Sequence, residues 1–124
     1  MRKNISTPEA PAAIGPYSQA VESGDFLFIS GQIPLYPETS EVVAGDIENQ
    51  ARQVFSNMDA ILRAAGYSLS NIVKTTVFLI DLKDFQKMNA VYGEFLSHKP
   101  ARSTVEVSAL PRNVRIEIEA IAIK

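Results

Sequence analysis

The chain closes with Val114-Arg-Ile-Glu-Ile-Glu-Ala-Ile-Ala-Ile123, which alternates in the two-residue period of a β-strand. Val114, Ile116, Ile118, Ala120 and Ala122 make one face, and Arg115, Glu117, Glu119, Ile121 and Ile123 make the other. If water covered the second face, that face would be polar along its whole length. It is half apolar, which predicts a sheet with helices on one side and another subunit on the other.

Working back from this strand, Arg102 to Ser108 shows the same alternation, joined to it by Leu110-Pro111-Arg112-Asn113. A short connection predicts that these two strands pair. Ile72 to Ile80 is rich in β-branched residues and reads as a strand. Ser18 to Glu22 and Asp25 to Ile33 flank Ser23-Gly24-Asp25, the chemistry of an antiparallel hairpin. Between the strands, Ile47, Ala51, Val54, Met58, Ile61, Leu62 and Ala65 recur at helical steps, with Asp46 suited to cap the start and Gly66 to end the helix. Asp84 to Ser97, with Phe85, Met88, Val91, Tyr92 and Phe95, reads as a second helix. The order is ββαβαββ, an α+β sheet with both helices on one face. The first sixteen residues, with Pro8, Pro11, Gly15 and Pro16, read as an extended surface lead-in. No repeat or linker divides residues 1–124, which predicts a single domain.

Composition narrows the function classes. Hydrophobic residues are 46% and charged residues 21% of the 124, an ordinary globular balance that excludes a disordered module. Twelve Lys and Arg against 14 Asp and Glu leave a net charge of -2, so nucleic acid is a poor partner for this surface. Zero Cys excludes thiolate catalysis and disulfides, and one His excludes multi-histidine zinc sites; no metal site is expected. The longest uncharged stretch, Ala10 to Val21, is too short to span a bilayer and contains two prolines, and the N-terminus has no signal-peptide pattern. A cytoplasmic protein is expected.

The usual phosphate-loop, dinucleotide, zincin and nucleophile-elbow motifs are absent. A small polar set remains. Arg102 opens a strand after Pro100-Ala101, and Glu117 lies on the last strand; a guanidinium there can grip a carboxylate and a nearby carboxylate can orient water. The same pair also reads as a sheet-surface salt bridge, the commoner use of such residues. Glu106, Arg115 and Glu119 compete for the same roles, and Glu119 shares its face with Glu117. His98 reads as a solvated loop residue, Tyr92 as core, and Asn89 as a polar candidate off that core stripe. Gly31, after Ser30 inside a strand, marks a bulge or a close approach, and Gly15-Pro16-Tyr17 is either a turn or a device that sets a phenol over a pocket.

Four segments together resemble one family: Ala13-Ile-Gly-Pro-Tyr-Ser-Gln-Ala20, Ile29-Ser-Gly-Gln-Ile-Pro34, Val73-Lys-Thr-Thr-Val-Phe78, and Pro100-Ala-Arg-Ser-Thr-Val-Glu-Val107 followed by Ile116-Glu-Ile-Glu-Ala-Ile-Ala122. The chain resembles the RidA (YjgF) proteins in the right order from about Ile14 to its end. The resemblance implies a chorismate-mutase-like fold assembled as a homotrimeric barrel with pockets between subunits. It also implies cofactor-free hydrolysis of reactive 2-imino acids such as 2-iminobutanoate and 2-iminopropanoate. Pyridoxal-phosphate dehydratases release these or their enamine forms, such as 2-aminoacrylate, and hydrolysis to 2-keto acid and ammonia is a form of metabolite damage control.

On this resemblance Arg102 grips the substrate carboxylate and Glu117 holds the water, with Glu119 the alternative. Tyr17, Ser30, Gly31, Asn89 and Thr104 line the site. Thr104 departs from the Cys that many members carry there, and the loop before Pro100 is short. The alternative reading is a non-catalytic binding or regulatory trimer, chaperone-like or translation-inhibiting. A chorismate-mutase-like rearrangement rests on fold analogy alone.

Overall fold

The computed structural model describes residues 2–124; Met1, the first residue of the expected domain, lies outside them. Six strands form one sheet: β1 (Arg2–Ile5), β2 (Ala20–Ser23), β3 (Phe26–Gln32), β4 (Ile72–Leu79), β5 (Ala101–Glu106) and β6 (Ile116–Ile123). Two helices, α1 (Ile47–Ala64) and α2 (Phe85–Phe95), join them, and the strand order is β1-β2-β3-β6-β4-β5.

Local chemistry explains the helix ends. The Asp46 carboxylate accepts the Asn49 N–H at 3.0 Å, satisfying one orphan donor of the first turn of α1. Just past the helix, Gly66 adopts φ +82, a left-handed conformation that costs glycine little. Ile47, Ala51, Val54, Met58, Ile61 and Leu62 are buried, as their spacing requires, against Leu27, Ile29, Ile116, Ile118 and Ala122. Each large aliphatic side chain buried this way contributes about 1.5–3 kcal/mol relative to exposure.

Three expectations need correction. The sheet has six strands rather than five, because Arg2–Ile5 pairs antiparallel with β2. The lead-in is also more than a surface segment: Thr7 and Ala10 are buried, and the buried Gln19 amide holds them. Its Nε2 donates to the Thr7 and Pro11 carbonyls at 3.1 and 2.8 Å, and its Oε1 accepts the Thr7 N–H at 2.7 Å. Gln19 thereby supplies the partners that a proline-rich backbone cannot find in a ladder.

The third correction concerns the last two strands. β5 pairs only with β4, in parallel, through the crossover that α2 provides, while β4 and β3 flank β6 as antiparallel neighbours. The connection after β5 passes over the end of β4, so Arg102 and Glu117 do not sit on adjacent strands.

The helices cover the sheet face carrying Ile116, Ile118, Ala120 and Ala122. On the opposite face Phe26 pairs with Ile123 and Phe28 with Ile121, and the two phenyl rings stack with centroids 6.0 Å apart. Both phenylalanines are more than 40% exposed, so the half-apolar face expected from β6 is uncovered in a single chain. Among the described residues no helix is long and apolar enough to cross a membrane.

Candidate active site

Arg102 lies opposite Thr75 in the β4–β5 register, on the helix-covered side of the edge strand. Phe85, Asn89 and Tyr92 reach it from α2 at helical spacing. The guanidinium carbon sits 4.8 Å from the Tyr92 ring centre and 5.4 Å from that of Phe85, and Nη1 donates to Asn89 Oδ1 at 2.7 Å. The Tyr92 hydroxyl and Thr75 Oγ1 are 2.6 Å apart in the core, which fixes the ring that carries the cation. No carboxylate of the described residues lies within ion-pair distance of Arg102. The arginine is thus oriented by an amide and two rings, with the rest of its donor fork free for an anion.

Thr104 follows on the same face of β5, opposite Val77. Its Oγ1 is buried without a hydrogen-bond partner. Asn89, Tyr92, Leu96, Pro100 and Arg102 line a cavity of about 520 Å³ at this edge.

Glu117 lies opposite Phe78, one register position beyond the buried Val77, and therefore faces the open side of the sheet. Between the pairs Ile29–Ala120 and Gln32–Ile118, β3 carries two residues against one, so Ser30 and Gly31 form a bulge. Ser30 Oγ donates to the Ser18 carbonyl at 2.6 Å and its N–H to the Gln19 carbonyl at 3.0 Å, holding the bulge to the segment before β2. The Glu117 carboxyl packs on Gly31 so closely that a Cβ there would stand 2.9 Å from Cδ and overlap Oε2. Close approach is therefore the reason for glycine at this position. Burial pushes the Glu117 carboxyl above its ordinary pKa, and the neighbouring Glu119 charge adds to the shift. Tyr17, half exposed, joins Gly31 in lining a second cavity.

The expected site residues thus form two groups. Arg102, Asn89 and Thr104 gather at the β5 edge under α2, and Glu117, Gly31, Ser30 and Tyr17 gather around the β3 bulge. Within one chain the sheet separates them. The Arg102–Glu117 salt bridge does not form, because the two side chains leave the sheet on opposite faces.

Competing candidates have other partners. Arg115 donates to both Asp84 oxygens, at 2.9 to 3.1 Å, and its N–H meets Gln50 Oε1 at 2.8 Å. Glu106 accepts the Leu82 N–H at 2.9 Å. His98 is exposed, as expected, yet its Nε2 lies 2.9 Å from the Ile72 carbonyl. Tyr92 is core, as its spacing indicates, but one face of its ring also carries Arg102. Phe85 escaped notice as a site residue, although its spacing from Asn89 and Tyr92 places all three on one helical stripe.

Residues 7–124 match the family model described as Endoribonuclease L-PSP. The chain belongs to this family, the YjgF/RidA proteins. It is 59% identical to the RutC family protein PH0854 of Pyrococcus horikoshii, over 100% of this chain and 99% of that one. It is 53% identical to the 2-iminobutanoate/2-iminopropanoate deaminase of Escherichia coli K12, again over 100% and 99%. The crystal structure of E. coli TdcF with bound serine superposes with a TM-score of 0.94 at 48% identity, covering 98% of both chains. The mixed six-strand, two-helix fold of this chain thus matches its YjgF-like structural neighbours.

Proposed function

We propose that this chain is a 2-imino acid hydrolase, a 2-iminobutanoate/2-iminopropanoate deaminase. It works as a cytoplasmic homotrimer that clears imines released by pyridoxal-phosphate dehydratases. One observation carries the reading: a guanidinium fixed between two aromatic rings and an amide, with no carboxylate partner among the described residues. Such a group is preorganised for a carboxylate ligand. The deaminase named among the relatives, and the serine bound by TdcF, support a small carboxylate with a nitrogen beside it.

In this reading Arg102 takes the substrate carboxylate and Glu117 of a second copy holds the water. The open face with Phe26, Phe28, Ile121 and Ile123 supplies the apolar surface for assembly, which brings the two half-sites together. A protonated imine carbon is already electrophilic, so orientation and a basic carboxylate suffice. Water adds at C2 as Glu117 accepts one of its protons. Glu117 then returns that proton to the nitrogen and takes the one left on the new hydroxyl, so that the C–N bond breaks, C=O forms and ammonia leaves the 2-keto acid. The half-buried Glu117, seated against Gly31, suits this role better than the exposed Glu119.

The test couples a threonine dehydratase to this protein and follows 2-ketobutanoate release with wild type and Arg102→Ala side by side. Acceleration by wild type alone is expected. No acceleration by either would overturn the hydrolase reading and favour a binding trimer.

A further inference from the structure

The Leu110–Val114 loop, which feeds β6, holds an unusual piece of backbone. Arg112 and Asn113 adopt φ 58 and 57 in succession, a left-handed region that side chains other than glycine rarely occupy. Facing them, Ser40 has φ 60, and Arg112 Nη1 donates to the Ser40 carbonyl at 3.1 Å. Two strained loops are thus tied by one guanidinium, the kind of backbone found where a side chain must be aimed.

Arg112 points at the Tyr17 side of the molecule. With Ile14, Tyr17, Gly31 and Leu35 it lines a cavity of about 240 Å³. Part of its lining is apolar, and Gly31, which belongs to that lining, is also the residue against which the Glu117 carboxyl packs. No carboxylate of the described residues pairs with Arg112, and one contact to Ser40 leaves most of its donors free. A molecule whose reacting carbon sits beside Glu117 would run its side chain along Ile14 and Leu35 toward this cation. A second negative charge there would be repelled by Glu117 and Glu119 unless Arg112 met it.

We infer that Arg112 is a specificity-determining residue which receives the distal carboxylate of 2-imino dicarboxylic acids, the imines of acidic amino acids. The inference rests on the hydrolase reading above and extends its substrate class. The chemistry is the same: water adds at C2, the C–N bond breaks, and ammonia and a 2-keto dicarboxylate are released. Arg102 of a second copy holds the carboxylate next to the imine and Arg112 the one at the far end, with the apolar lining against the methylenes between them.

The experiment generates the imines of D-glutamate and D-norleucine in situ with flavin amino-acid oxidases and catalase, and traps unhydrolysed imine with semicarbazide. The quantity read is the ratio of kcat/KM for the acidic imine to that for the neutral one. Arg112→Gln is expected to lower this ratio about tenfold, and Arg112→Lys to retain part of it. Raising the salt should lower the wild-type ratio too, because Arg112 is exposed, and this readout needs no variant. A ratio unmoved by Arg112→Gln or by salt, or a wild type that hydrolyses only the neutral imine, overturns the assignment and leaves the hydrolase reading standing. Failure on both imines overturns the two together.

Discussion

Arg102 and Glu117 leave the sheet on opposite faces, with β4 between their strands. If they serve one reaction, each must meet the other from a second copy of the chain. Arg102→Ala and Glu117→Gln proteins, each inactive alone, should therefore regain activity when unfolded together and refolded as mixed trimers. With random assortment about a quarter of the inter-subunit sites receive both intact residues. Imine hydrolysis at about that fraction of wild type is expected, and no recovery would show that the two residues do not share a site.

Asn89 orients the arginine without needing to touch the reacting atoms. Its Oδ1 takes Nη1 at 2.7 Å, and a hydrogen bond to a charged group contributes about 1.5–3 kcal/mol. Asn89→Leu should raise KM for 2-iminobutanoate about tenfold or more and lower kcat less, since the guanidinium stays but loses its orientation. Unchanged steady-state constants would remove Asn89 from the site.

How much of this was legible in the chain depends on how local each feature is. Asp46 and Gly66 act on their own helix ends, so the limits of α1 could be read within a residue or two. β1 escaped because Arg2-Lys-Asn-Ile5 carries one apolar residue and pairs with a strand beyond the proline-rich segment. Alternation identified the faces of β5 and β6 separately. Their relation depended on β4 entering between them, and strand order is not a property of any local period. Gly31 was conspicuous in sequence, but its reason, the Glu117 carboxyl pressed against it, exists only once β3 and β6 are paired.

Arg115 provides a contrast with Arg102. Its guanidinium grips both oxygens of the mostly buried Asp84, so removing it strands a carboxylate. Because Arg115 itself is nearly half exposed, the loss is set nearer a partly exposed pair than a buried one, about 1–2 kcal/mol. Arg115→Ala should lower Tm by several degrees and leave kcat/KM for 2-iminobutanoate near wild type. Loss of activity in well-folded protein would place Arg115 in the site.

Gly31→Ala separates geometry from stability. The added methyl meets the end of the Glu117 side chain, which can swing aside at little cost to the fold. The carboxylate would then leave its seat, and a group displaced by about 1 Å can lose around a hundredfold in rate. A large fall in kcat with Tm nearly unchanged is expected; a full-rate Gly31→Ala protein would dissociate Glu117 from catalysis.

Glu117 should also be a site where activity and stability oppose each other. Its folded-state pKa lies above the ordinary carboxylate value, first through burial and then through Glu119, so the folded chain holds this proton more tightly than the unfolded chain does. Below the unfolded pKa of about 4.3 both states are protonated and the group contributes its full share of stability. As pH rises through the folded pKa the unfolded state releases the proton more readily, and that share is lost. Glu117→Gln, which cannot ionise, should therefore match wild type in Tm at low pH and exceed it at neutral pH, while hydrolysing imines far more slowly. The acid limb of the wild-type kcat profile should fall above the ordinary carboxylate range and move down in Glu119→Gln, which removes the second cause of the shift. A Tm difference that does not depend on pH would mean that Glu117 ionises alike in both states, and an acid limb unmoved by Glu119→Gln would mean that another group sets it.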